Sequence, residues 1–246
     1  TPNFARVEIM EEIADAVRLG AEIKGIVCEK PLGRNVKEAR QLVQLAQEAE
    51  LKTAYFENQI FMKPLQKQLQ LLEIQQKSLG PPLFIRSMQE HAGPHGSWFW
   101  DPVKQGEGVR IFIEAVGPGY AFEFNSLNSS LQVFISDEAA TSDADAGSAL
   151  EKATASQGLL TVQFNEPDLY GFTDENEDAL RSFRSGTDGF LPWTYGLEIT
   201  KLVMAAYMAA EKGKTIDLTD PGVQSELESY IPLIQQGKGA EVLYPQ

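Results

Sequence analysis

The chain has one cysteine, two histidines and no long apolar run, and its basic residues are outnumbered, 21 Lys and Arg against 35 Asp and Glu. A single cysteine, Cys28, allows no internal disulfide, which favours a reducing compartment and predicts a cytoplasmic protein. Inside an apolar run, Cys28 reads as a small core residue. The formal charge of −14 argues against nucleic acid and anionic membrane surfaces, both of which need clustered Lys and Arg. No stretch is long or apolar enough to span a bilayer, and Thr1-Pro2-Asn3 does not open a signal peptide. With two histidines, His91 and His95, four apart and no third ligand at a sensible spacing, no metal site is expected. Ser87 and Ser97 have no nucleophile context. The acidic run 137–145 lacks the alternating ligands and turn glycine of a calcium loop and reads as a solvated segment.

What is present is an ordinary globular composition, 43% hydrophobic and 23% charged over 246 residues, enough for one large core or two modest ones. Val7, Met10, Ile13, Ala14 and Val17 share one face of a first helix stopped by Gly20. Ile26-Val27-Cys28 is a short buried strand. Asn35 followed by Glu38 is a capping box opening a helix that carries Ala39, Leu42, Val43, Ala46 and Ala49. A strand near 53–56 follows, then a helix over 64–79 that ends at Gly80-Pro81-Pro82. This βα alternation predicts parallel pairing.

Beyond residue 82 the pattern changes. Strands are expected over 83–90, 110–115, 120–125 and 131–135, a solvated excursion over 136–157, and helices over 174–186, 194–213 and 221–235. The expected fold class is α/β: a partial Rossmann βα remnant over 1–81, then an open, mainly antiparallel sheet with flanking helices over 82–246. Parallel strands without neighbours would leave exposed edges that invite oligomerisation.

The tripeptide Glu29-Lys30-Pro31 lies where a strand hands over to a helix, the place where open α/β sheets bind ligands. No glycine-rich phosphate turn precedes it. A partly desolvated lysine there can relay a proton near neutrality, whereas the same lysine could simply mark a helix entrance. Asn3 fits an N-cap of the first helix. Trp98-Phe99-Trp100, close to His95, is either an aromatic platform for sugar C–H faces or a seal on a core or subunit interface.

Taken together, Thr1-Pro2-Asn3, Cys28-Glu29-Lys30-Pro31-Leu32, Asn35-Val36-Lys37-Glu38-Ala39, Tyr55-Phe56-Glu57-Asn58-Gln59, the loop GPHGSWFWDP at 93–102 and the helix at 193–213 resemble the Gfo/Idh/MocA oxidoreductases. That resemblance implies NAD or NADP as cofactor and a sugar, polyol or related cyclic alcohol as substrate. It makes Lys30 the catalytic lysine that hydrogen-bonds the reacting hydroxyl. Pro2, Asn3, Glu29, Pro31 and Asn58 fall at cofactor-facing positions, and His95, Trp98 and Trp100 at the substrate wall. Alternatively, Glu29 is solvated or orients Lys30, and Asn58 satisfies a loop backbone. A homo-oligomer through the C-terminal sheet is expected.

The sequence departs from the family in two places. The glycine turn with its helix and ribose-binding acid has no counterpart, and Gly106-Glu107-Gly108 runs into Arg110-Ile111-Phe112-Ile113-Glu114 where the family carries its Asp and His. The chain reads as joined near Val109-Arg110. Three outcomes follow: a sugar oxidoreductase of reduced or lost activity, a non-catalytic scaffold of that family, or a longer gene product from which this sequence omits stretches.

Overall fold

Gly25–Glu29 (β1) and Lys52–Phe56 (β2) pair in parallel, with Gly25 opposite Lys52 and Glu29 opposite Phe56. The computed structural model describes residues 1–88, 112–125, 130–136, 158–164 and 170–243. Its described residues fall into two compact units, one from the segments 1–57 and 176–246, the other from 58–93 and 108–175. The division therefore does not follow the expected change of character at 81/82, and the C-terminal helices belong with β1 and β2.

In the first unit Arg6–Arg18 (α1) and Val36–Glu48 (α2) pack against each other. Ala39, Leu42, Val43 and Ala46 of α2 are buried, as the 3.6-residue spacing dictates. Asn35 caps α2 by accepting from the Glu38 amide at 3.0 Å. The return arm differs from a standard capping box. The Glu38 carboxylate accepts from the Arg34 amide at 3.1 Å, one residue earlier, because the Arg34 guanidinium also holds it, with Nε at 3.0 Å. Asn3, by contrast, is no helix cap. It lies buried in a 3₁₀ turn, Asn3–Ala5, and the residue before α1 is Ala5, with no side-chain cap.

Thr53, Ala54 and Tyr55 of β2 are all buried, as in a strand covered on both faces. Trp193–Lys212 (α5, following Phe172–Arg184, α4, in the numbering of the described helices) supplies part of that cover. The Trp193 indole donates to the Ala54 carbonyl at 3.2 Å. Gly196 lies so close to the Tyr55 ring that a Cβ there would stand 2.8 Å from it. Pro221–Ser229 (α6) is shorter than the helix expected over 221–235. It stops ahead of Pro232, which has no amide to donate and bars helical geometry at Ile231.

The second unit is a five-stranded antiparallel sheet, Phe84–Met88 (β3), Phe112–Gly117 (β4), Tyr120–Asn125 (β5), Ser130–Ile135 (β6) and Gly158–Gln163 (β7), ordered as in the chain. β7 was not expected from the sequence, although Leu160, Val162 and Phe164 alternate in the manner of a strand. Lys63–Leu79 (α3) packs on β5 and β6. Leu65 and Leu71 join Tyr120, Phe122, Phe124, Leu131, Val133 and Ile135 in one core. Each such side chain contributes about 1.5–3 kcal/mol on burial. The Tyr120 hydroxyl donates to the Gly80 carbonyl at 3.0 Å, tying the end of α3 to the sheet.

The other face of this sheet carries an in-register row, Phe84, Val116, Ala121, Phe134 and Leu159, one residue from each strand. Phe84 is 53%, Phe134 43% and Leu159 64% exposed.

Candidate functional site

The carboxyl end of β1 is built by four side chains of the first unit: Arg6, Cys28, Glu29 and Lys30. Parallel pairing aims the strand's last carbonyls and the following turn toward the edge where α/β sheets take ligands. Glu29 is exposed, and its Oε2 accepts from the Lys30 amide at 3.2 Å. Lys30 is half-buried, and among the described residues its ammonium pairs with no carboxylate. The Lys30–Pro31 peptide is cis, and Pro31 is half-buried.

Arg6 is the residue of this site that the sequence did not mark. It is 6% exposed, and it forms the first residue of α1. Its Nη1 donates to the Pro31 carbonyl and its Nη2 to the Lys30 carbonyl at 3.5 Å, while its Nε is buried without a partner. No carboxylate pairs with it among the described residues. A guanidinium taken out of water without a counter-ion is costly, and the carbonyl contacts, with a hydrogen bond to the Cys28 side chain, offset that cost. Its position four and eight residues before Met10 and Ala14 puts it on the buried stripe of α1, but a charged residue at the helix start does not count as part of an apolar pattern.

Cys28, expected as a core residue, is half-buried on β1 and its thiol donates to the Glu29 carbonyl at 3.4 Å. Burial pushes its titration up from the ordinary thiol value; the Arg6 guanidinium pulls the other way without cancelling the shift. The thiol is therefore neutral at physiological pH.

The turn after Lys30 is held from two sides. Gln235 donates its amide to the Arg34 carbonyl at 2.6 Å, and at the start of α2 the Asn35 and Glu38 side-chain oxygens accept from the Glu38 and Arg34 amides. An anion arriving there would compete with those oxygens for the same donors.

The remaining candidates are dispersed. Pro2 is exposed, and its carbonyl accepts from Ala5 at 3.1 Å. Asn58 belongs to the second unit, where its side-chain amide donates to the Tyr170 carbonyl at 2.7 Å. Gly171, at φ +71, makes that approach feasible, since a Cβ would lie 2.2 Å from the Asn58 carbonyl oxygen. Lys63 pairs with Asp174 in the same unit. His95, Trp98 and Trp100 lie outside the described residues, as do His91 and the Val109-Arg110 join. Among the described residues no three His, Cys, Asp or Glu cluster as a metal site, and no helix is long and apolar enough to cross a membrane.

A parallel βα unit bearing a lysine at the strand exit, followed in the chain by an open antiparallel sheet, defines a mixed α/β fold. No protein-family model matches the sequence, and no curated protein matches it. Solved structures do. Levoglucosan dehydrogenase in complex with NADH and levoglucosan is 16% identical, with a TM-score of 0.64 over 89% of this chain and 79% of that one. An oxidoreductase domain protein from Kribbella flavida is 13% identical, with a TM-score of 0.62 over 87% of this chain and 77% of that one. GenD2 from gentamicin A biosynthesis, in complex with NAD, is 15% identical, with a TM-score of 0.58 over 89% and 76%. These are NAD-binding oxidoreductases of the Gfo/Idh/MocA type, and at such identities what this chain shares with them is the fold.

Proposed function

We propose that this chain is a Gfo/Idh/MocA-type oxidoreductase acting on a sugar, polyol or related cyclic alcohol, with Lys30 as its proton-relaying residue. The observation that carries the reading is Lys30 itself: half-buried at the exit of a parallel strand, with its backbone fixed by Arg6 and Glu29 and its ammonium free of any carboxylate among the described residues. A lysine so presented can hydrogen-bond a carbinol oxygen as the ammonium and, as the neutral amine, accept the hydroxyl proton. Fold likeness to enzymes solved with NADH, levoglucosan or L-sorbose supports the substrate class.

The dinucleotide is a separate question. NAD, which accepts hydride in such enzymes, is the cofactor that the likeness supports. The residues around β1 do not fit its pyrophosphate. At the helix N-terminus that follows the strand, Asn35 takes the Glu38 amide and the Glu38 carboxylate takes the Arg34 amide, and Arg6 is engaged with carbonyls. This favours a second reading, a non-catalytic scaffold, in which the five-stranded sheet provides a subunit contact and β1 and β2 are a Rossmann remnant. In either case the apolar row Phe84, Val116, Ala121, Phe134 and Leu159 supports a homo-oligomer formed through the sheet. The single cysteine supports a cytoplasmic setting.

Calorimetric titration with NAD and NADP, alongside a sugar and polyol panel followed by reduced-cofactor absorbance, tests both readings. The expected result is weak cofactor binding and slow turnover that Lys30→Ala lowers by about 10³-fold. Turnover indifferent to Lys30→Ala would overturn the assignment. No turnover, with the oligomer intact, would leave the scaffold.

A further inference from the structure

We propose that Arg6 is the positioning residue of the Lys30 site, its guanidinium gripping the consecutive carbonyls of Lys30 and Pro31 so that the Lys30 side chain leaves the strand in one direction. The proposal rests on the reading of Lys30 as the reactive residue.

Three observations lead to it. Arg6 is among the few buried charged side chains, and among the described residues no carboxylate neutralises it. A buried arginine whose task was stability alone would ordinarily carry an acidic partner, since an unpaired buried charge is unfavourable. Here its fork is directed instead at the two consecutive carbonyls of Lys30 and Pro31. A planar guanidinium with donors in a fixed fork suits that task, whereas an ammonium, a point donor on a flexible stem, can hold one carbonyl but not the angle between two.

The second observation is where Arg6 comes from. It is the first residue of α1, 24 positions before Lys30 in the chain, so the contact couples the start of one helix to the turn that begins the approach to the next. Thirdly, Glu29 holds the Lys30 amide from the opposite side of the same residue, with Oε2 at 3.2 Å. The Lys30 backbone is thus held at its N–H by Glu29 and at its C=O by Arg6, and only its side chain is left to move. Such fixing of a reacting group is what converts a surface lysine into one aligned with a bound hydroxyl.

The test reads Lys30 directly and needs no turnover. Wild-type chain, Arg6→Gln and Arg6→Lys are treated with trinitrobenzenesulfonate, and labelling of each lysine is followed by peptide mass spectrometry. Exposed Lys24 and Lys37 serve as internal controls. Circular dichroism melts report whether each variant keeps its fold. Lys30 labelling should change about threefold or more in both Arg6→Gln and Arg6→Lys, since neither side chain has a fork that holds both carbonyls, with Lys24 and Lys37 unmoved. Where the wild-type chain turns over a sugar, kcat should fall about tenfold at unchanged KM. Lys30 labelling within about twofold of wild type in a folded variant overturns the proposal. So does loss of fold in both variants, which would make Arg6 a residue of the fold alone. If Arg6→Gln alone unfolds, Arg6→Lys decides. Because labelling is independent of the reaction, absent turnover would count against the proposed function and leave this result standing.

Discussion

The carboxylate of Asp188 accepts from the amide of Thr53 at 2.6 Å and from its hydroxyl at 3.1 Å, across 135 positions of sequence. That pair begins a series. The Gly189 amide donates to the Thr53 carbonyl at 2.9 Å, the Tyr55 amide to the Leu191 carbonyl at 2.7 Å, and the Trp193 amide to the Thr53 hydroxyl at 3.1 Å. Residues 188–193 therefore take the hydrogen-bonding groups of β2 on the side that β1 does not occupy, and an edge expected to be open is closed from within the chain.

Asp188→Ala should destabilise the first unit by about 2 kcal/mol, since it removes an ionised acceptor from a buried backbone donor. Asp188→Asn, which keeps one acceptor oxygen, should lose less. Urea unfolding followed by circular dichroism measures both. Equal losses in the two variants would show that the carboxylate's charge and geometry do not matter.

Asn35→Ala should cost about 1 kcal/mol by removing the cap of α2, while Asn35→Asp should restore it. Because Asn35 also fills the donors that an anion would use, Asn35→Ala should strengthen phosphate binding at this turn, which a calorimetric phosphate titration can detect.

Burial, together with the Glu211 and Glu226 carboxylates, raises the Tyr230 phenol far above its ordinary 10.0. Unfolding would return it to that value, so above pH 10 the unfolded chain binds fewer protons than the folded one. The stability this group contributes is present below pH 10 and falls as pH rises beyond it. Melts of Tyr230→Phe should therefore decline less steeply on the alkaline side than those of the wild type. Parallel alkaline limbs would refute this.

Phe134→Arg places a charge in the centre of the exposed row on the sheet, between Ala121 and Leu159. If copies meet through that face, light scattering should show the assembly dissociating while the melt of the second unit stays within about 1 kcal/mol. Glu114→Ala, in the adjacent polar row, serves as the control.

Much of this arrangement was legible in the order of residues. The stripe of Ala39, Leu42, Val43 and Ala46, the cap at Asn35 and the stop at Gly80-Pro81-Pro82 are local features, and each produced the element expected. The position of Lys30 at a strand exit was visible for the same reason, because one short apolar run and one cap bracket it. β7 escaped notice behind the solvated segment that precedes it.

What the chain alone determined is therefore periodic or adjacent: which stretches become helix or strand, where each ends, and which residue stands at the mouth of β1. Tertiary structure decided the rest. It brought Arg6 under the Lys30 and Pro31 carbonyls, closed β2 with residues 188–193, and gathered the C-terminal helices with the βα pair. Those contacts depend on donors and acceptors finding each other when water is excluded. A backbone group offers the same amide and carbonyl at every position, so no residue type announces which distant partner will satisfy it.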